Sequence, residues 1–154
     1  MPRYWLMKSE PSEVSIDDLE AAPGQVLPWT GVRNYQARNF MRDDMRVGDG
    51  VLFYHSSCGE PGVAGLARIA GKPCPDETQF DPQSDYYDPK SAPDRPRWLQ
   101  VDVALTRKTR LLPLREMRAA PELATMRVLA PGNRLSITPV TPEEWRAVNK
   151  RLAR

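Results

Sequence analysis

The reading starts from Trp29-Thr-Gly-Val-Arg-Asn-Tyr-Gln-Ala-Arg-Asn-Phe-Met-Arg42. Trp29 follows Pro28 and precedes Thr30-Gly31, which predicts a turn. The run from Asn34 to Arg42 predicts a helix with Asn34 as its N-cap. Ala37, Phe40 and Met41 fall at i, i+3, i+4 and make an apolar face that packs on a sheet. Asn34, Arg38 and Arg42 fall at i, i+4, i+8 on another face. That polar face offers amide and guanidinium groups, with no acid and no nucleophile. Such groups suit hydrogen-bonding recognition of a base, a phosphate or a carboxylate better than bond breaking.

On the N-terminal side, Arg3–Lys8 predicts a short strand, apolar on both faces around Trp5, Leu6 and Met7 and therefore central in a sheet. Ser9-Glu10-Pro11 ends it. Ser15 caps a short helix that Pro23-Gly24 stops. On the C-terminal side, residues 51–56 form a strand with Val51, Phe53 and His55 on one face and Leu52, Tyr54 and Ser56 on the other. A strand at 63–70 pairs with it as a hairpin, and Ala64, Gly65 and Ala67 leave room for a close neighbour. Residues 73–96 form a long loop, read as an ordered flap because Phe80, Tyr86 and Tyr87 punctuate it. Leu99, Val101, Val103 and Leu105 alternate in a strand at 98–105. Short helices are expected at 114–119 and from Pro121 to near Leu129. Leu135–Val140 is a final strand whose Pro139 marks either an edge or a strand end. Thr141 caps a final helix with Pro142 at its first position. Trp145, Val148 and Leu152 make its buried face, and Lys150, Arg151 and Arg154 sit at its negative end. Five or six strands, short peripheral helices and no βαβ alternation predict an α+β fold built on a mixed, mostly antiparallel sheet or small barrel.

The chain has 154 residues and a formal net charge of +2, which fits one domain and does not by itself argue for nucleic acid. The charge is polarised along the chain: seven basic residues lie between Arg95 and Arg118, and five acids lie between Asp76 and Asp88. Sixteen prolines, well above the ~5% usual, gather in the loops. Cys58, Cys74 and the single His55 have no metal-ligand spacing. The glycines match no phosphate loop or dinucleotide pattern, so no cofactor and no metal are expected. There is no apolar run of ~18 residues and no signal-peptide core, so a monomer in the cytoplasm, or the nucleus of a eukaryote, is the expectation.

Ser9, Glu10, His55, Ser56 and Cys58 could be assembled into a nucleophilic site only with an orienting group that the sequence does not supply. Trp29 reads two ways, as core or as a platform that stacks on a base, worth ~1–3 kcal/mol. Trp5, Trp98 and Trp145 read as core. Tyr86, Tyr87, Asp88 and Lys90 either fix the flap or line a site.

Several stretches together carry a resemblance. They are Tyr4-Trp-Leu-Met-Lys-Ser-Glu-Pro11, the 29–42 run, Val51-Leu-Phe-Tyr-His-Ser56 and Thr78-Gln-Phe-Asp81. With them go Tyr86-Tyr-Asp-Pro-Lys-Ser91, Pro96-Arg-Trp98 and Arg134-Leu-Ser136. In this order they resemble the EVE domain family over nearly the whole chain, read as a single domain at 1–154. The resemblance implies a PUA-like, curved, mostly antiparallel β-barrel, in kinship with YTH and ASCH domains. It also implies a pocket that reads a modified nucleobase, modified cytosine first, in DNA or RNA without catalysis. The base-binding set it implies is Ser9, Glu10, Trp29, Asn34, Tyr35, Gln36, His55, Ser56, Tyr87 and Asp88. The phosphate set is Lys8, Arg33, Arg38, Arg42 and Lys90. A second expectation, from ASCH kinship, is a small-molecule sensor or a nucleoside or nucleotide hydrolase dependent on Glu10 or His55. A third is an interaction module whose pocket takes a partner's side chain.

Overall fold

The first strand, β1 (Tyr4–Ser9), is apolar on both faces and lies inside the sheet, one strand from its edge. Trp5 and Met7 enter one core cluster and Leu6 the other. The computed structural model describes residues 3–153, so the Arg154 position lies outside the described residues. β1 pairs in parallel with β3 (Gly50–His55), in register from Tyr4↔Gly50 to Ser9↔His55. Its other side takes β7 (Ile137–Val140), antiparallel. β3 turns back into β4 (Gly62–Ile69), which pairs with β6 (Leu99–Pro113), and β6 pairs with β2 (Val26–Trp29). The strand order is β2-β6-β4-β3-β1-β7, and the two-residue β5 (Cys74–Pro75) adds to β6. Register shifts in β3 and β4 mark bulges, the devices that bend a sheet.

The sheet is α+β and mostly antiparallel, but among the described residues its path is open, not a closed barrel. Its two end strands carry Pro28 and Pro139, and a residue without an N–H belongs at an edge.

Both faces of the sheet are covered. On the inner face α1 (Ile16–Ala21) supplies Ile16 and Leu19, α2 (Tyr35–Asn39) supplies Ala37, and the turn after it supplies Met41, against Val51, Phe53 and Val103. The outer face packs Leu6, Leu52 and Leu66 on Met117 of α3 (Leu114–Arg118) and on Val148 and Leu152 of α4 (Pro142–Leu152). Capping boxes start α1 at Ser15 and α4 at Thr141. Trp5 and Trp98 are buried, and Trp145 stacks on Tyr4 with ring centroids 4.5 Å apart. No helix among the described residues is long and apolar enough to cross a membrane.

Four elements differ from the sequence reading. Trp29 ends a strand and does not sit in a turn, because β2 finds hydrogen bonds on β6 despite Pro28. β6 continues past Leu105 to Pro113, its polar half held by β4. α2 covers only Tyr35–Asn39 and passes into a π-turn at Phe40–Asp44. The wider turn takes Arg42 off the Asn34 face and beside Asp43, with Nε to Oδ1 at 2.9 Å. Pro121–Leu129 is two 3-10 turns.

The small residues of β4 admit close neighbours. A Cβ on Gly65 would lie 2.6 Å from Ile16 Cδ1, and one on Gly62 would lie 2.2 Å from the Leu112 carbonyl oxygen. Backbone cannot yield as a side-chain end can. Gly62→Ala is therefore expected to cost about 1–3 kcal/mol, or several degrees of Tm in a thermal melt. Gly59→Ala, whose Cβ would meet nothing within 4 Å, is expected to melt with the wild type. Equal Tm values for the two variants would refute the close strand contact.

Candidate functional site

A cavity of about 700 Å3 opens where the inner face of the sheet is left uncovered. Leu27, Phe53 and Val103 give it an apolar base. Trp29, half-buried, forms a wall, with its ring edge-on to Phe53 at 5.3 Å between centroids. β2 places Trp29 by pairing it with Val101.

The chain then turns sharply at Gly31, with φ at +81°. Only glycine suits this position twice over. The left-handed φ favours it, and a Cβ there would lie 2.8 Å from Tyr86 Cζ. Gly31 donates its N–H to Asp76 Oδ2 at 2.8 Å, and Arg33 Nη1 meets the same oxygen at 3.1 Å. Asp76 is fully buried. Arg33 also donates to the Tyr86 carbonyl at 2.7 Å and to Thr78 Oγ1 at 3.0 Å. Its guanidinium lies over the Tyr86 and Trp98 rings, 5.5 and 5.4 Å from their centroids. The flap is thereby fixed to the loop after Trp29.

Tyr86 crosses the mouth of the pocket and donates its hydroxyl to Glu13 Oε2 at 2.6 Å. Burial, then the Glu13 hydrogen bond, pushes its pKa up to about 12, so the phenol stays neutral. On the other side, Ser9 donates its hydroxyl to the Val14 carbonyl at 2.6 Å, and Ser56 N–H donates to the Ser9 carbonyl at 3.0 Å. Ser57, which also lines the pocket, holds a left-handed φ of +53° without being glycine, a strained conformation of the kind that gathers at functional sites. Lys8 lines the pocket from β1 but belongs to the Leu6 side of the pleat. Its N–H donates to the Ser136 carbonyl at 2.8 Å, and burial pushes its ammonium pKa down. Arg134 and Ser136 complete this rim.

Of the residues expected from sequence, the pocket brings together Lys8, Ser9, Glu10, Trp29 and Ser56. The others lie outside its lining. Asn34 caps α2, accepting from Ala37 N–H at 3.1 Å. Tyr35 is exposed and stacks on Trp98 at 4.8 Å, and Gln36 is exposed beside it. His55 lies behind the pocket, edge-on to Phe53 at 5.7 Å. Tyr87 and Lys90 are exposed on the flap. Asp88 accepts from Trp98 Nε1 at 2.7 Å, and that bond holds its carboxyl below the usual range. Among the cations, Arg33 is committed to Asp76, Arg38 donates to the Arg97 carbonyl at 3.0 Å, and Arg42 pairs with Asp43. Sequence reasoning did not place Glu13, Gly31, Phe53 or Arg134 in the site. Gly31 beside Trp29 and the Arg134-Leu-Ser136 motif were the signals available.

The pocket offers an aromatic wall, hydroxyls, carboxylates and one arginine. Ser9 spends its proton on the Val14 carbonyl, and His55 Nε2 is engaged by the Ile16 N–H, so these two do not form a nucleophile–base pair. Among the described residues no group of three or more His, Cys, Asp or Glu side chains is arranged to hold a metal.

Residues 3–151 match the model of the EVE domain family. Human thymocyte nuclear protein 1 is 45% identical over 160 residues, covering 92% of this chain and 70% of that protein. The crystal structure of the human THYN1 protein in complex with 5-methylcytosine-containing DNA superposes with a TM-score of 0.90 at 44% identity, covering 99% of this chain and 98% of that one. The YTH domain of Zygosaccharomyces rouxii MRB1 protein, solved with N6-methyladenosine RNA, shares the fold at a TM-score of 0.58 and 14% identity, over 99% of this chain and 85% of that one.

His55 gives the wall behind Phe53 a pH dependence. Its Nε2 accepts from Ile16 N–H at 3.1 Å, at the start of α1, and so must be unprotonated. Burial lowers its pKa, with Asp17 opposing. The unfolded chain therefore takes up a proton near pH 6.5 before the folded one does. Stability present above that pH is lost as pH falls toward the depressed folded value. Melts from pH 7.5 down to about 5.5 are expected to show a falling Tm in the wild type and a flatter profile in His55→Gln, which keeps an acceptor but does not titrate. Parallel profiles would remove His55 as the cause.

Proposed function

The chain belongs to the EVE domain family, and from that premise we propose that it reads a modified nucleobase, modified cytosine first, in DNA or RNA, binding it without turning it over. The observation that carries this reading is the half-buried indole of Trp29 on the wall of a pocket of about 700 Å3. That volume is ordinary for a site that encloses a small planar group. The base enters flipped from a duplex or from a single strand, stacks on Trp29 and meets Ser9, Glu10 and Ser56 at its edge. The human relative solved with 5-methylcytosine-containing DNA supports this choice of base.

Arg134 on the rim is the nearest candidate for a phosphate. Arg38, Lys90 and the exposed Tyr35 and Tyr87 lie on α2 and the flap, and we assign them to the flanking backbone. Arg33 and Asn34 build the loop that carries Trp29. The hydrolase alternative needs Glu10 or His55 as a base. The engagement of His55 Nε2 with Ile16 supports recognition over that reading.

Tryptophan fluorescence titrations test the proposal with short single- and double-stranded oligonucleotides carrying cytosine, 5-methylcytosine, 5-hydroxymethylcytosine or N6-methyladenine. One modified base is expected to bind best, with affinity falling as salt rises. Trp29→Ala is expected to cost about 1–3 kcal/mol, about 5- to 150-fold in Kd, with an unchanged far-ultraviolet circular dichroism spectrum. Equal binding to every oligonucleotide, or selectivity that survives Trp29→Ala, would defeat it.

A further inference from the structure

We propose that Glu13 is the specificity-determining residue of the pocket. Its carboxylate, held in place by the Tyr86 hydroxyl, accepts an N–H from the exocyclic amino group of the bound base, so the site takes 5-methylcytosine and refuses thymine. This rests on the modified-base reading above.

Glu13 is not on a helix or strand, yet its place is fixed. Its N–H donates to the Glu10 carbonyl at 2.9 Å, the next residue's carbonyl receives the Ser9 hydroxyl, and its Oε2 receives Tyr86 Oη at 2.6 Å. The flap and the turn after β1 thus meet at this carboxylate, across 73 residues of sequence. Tyr86 in turn is packed over Gly31. Because the phenol stays neutral up to about 12, it remains a donor at any physiological pH. Glu13 is exposed at the pocket, and among the described residues the Tyr86 hydroxyl engages Oε2 while no hydrogen bond engages Oε1. Glu10, the other carboxylate of the lining, is in the same vicinity, since it contributes to raising the Tyr86 pKa. Neither glutamate is in an ion pair among the described residues.

The lining holds Lys8 and Arg134 as well as these two carboxylates, so cations are at hand for a backbone phosphate, while the carboxylates call for donors on the ligand. An ionised carboxylate can only accept. Cytosine and adenine present an amino group on the edge where thymine and uracil present a carbonyl oxygen, and carboxylate acceptance from cytosine N4 is an established pairing. 5-Methylcytosine and thymine have nearly the same shape and carry the same methyl group. Shape and stacking on Trp29 therefore do not separate them, whereas a fixed acceptor does.

The test compares single-stranded DNA oligonucleotides with one central 5-methylcytosine, cytosine or thymine, titrated by tryptophan fluorescence. Wild-type protein is expected to favour 5-methylcytosine over thymine by about tenfold or more, equivalent to about 1.4 kcal/mol. Glu13→Gln keeps an acceptor and adds a donor that suits the thymine carbonyl, so this ratio is expected to fall toward one while preference for 5-methylcytosine over cytosine survives. Tyr86→Phe, which releases the carboxylate, is expected to lower the same ratio. If Glu13→Gln changes both affinities together and leaves the ratio intact, Glu13 is only a latch for the flap and the proposal is overturned. A wild type that selects 5-methylcytosine over cytosine yet binds thymine as well overturns the Glu13 role alone. A wild type that binds none of the three overturns the modified-base reading with it.

Discussion

A single buried carboxylate holds the pocket in shape. Asp76 has no exposed surface, and its two oxygens take the Gly31 N–H, the Arg33 guanidinium and the backbone and hydroxyl of Thr78. An anion taken out of water is costly unless opposite charge and hydrogen bonds meet it, and here both do. The loop after β2 and the start of the flap are thereby one unit. Gln79, also fully buried, continues it. Its amide donates to the Asp76 and Trp98 carbonyls, and its oxygen accepts from the Arg97 and Trp98 N–H groups. A long segment with almost no regular secondary structure is thus ordered by side chains that stand in for a ladder of backbone partners.

The location of the pocket follows from how the sheet is covered. Phe53 and Val103 belong to the inner core cluster, Leu27 and Trp29 pack on it, and all four also line the cavity. The site is a piece of hydrophobic core that the helices cover only in part, Leu19 of α1 reaching its lining. Trp29 is therefore core only in part. One edge packs on Phe53 and another part remains open to the cavity.

What could be read from the sequence was whatever depends on near neighbours. Strand alternation found β3 and the first half of β6, an apolar run found β1, a hairpin found β4, and capping residues found α1 and α4. The missed pieces depend on distant partners. β2 has only four residues and a proline, and its hydrogen bonds come from β6. The second half of β6 is too polar to look like a strand until β4 lies beside it. Arginines show the same limit most sharply. Arg33, next to a helix cap, looks free for a phosphate, and only the fold brings Asp76 to it. Glu13 and Tyr86 carry no local pattern that predicts their meeting. The sequence-named residues that line the pocket, Lys8, Ser9, Glu10, Trp29 and Ser56, lie on or just after strands. The named flap residues and arginines do not line it, because their orientations are set by contacts far along the chain.

The parallel pairing of β1 with β3 has a consequence in time. Such a pair needs a long connection, and here residues 10–49 supply it, carrying α1, β2 and α2 on the way. That excursion contains Trp29, but the excursion is anchored at Val101, and the pocket rim is closed by Arg134 and Ser136. During synthesis the ribosome releases Trp29 long before the strand that orients it. Contacts of such sequence separation are slow to form. The pocket is accordingly one of the last features the chain completes, and a fragment ending before Arg134 lacks part of its rim.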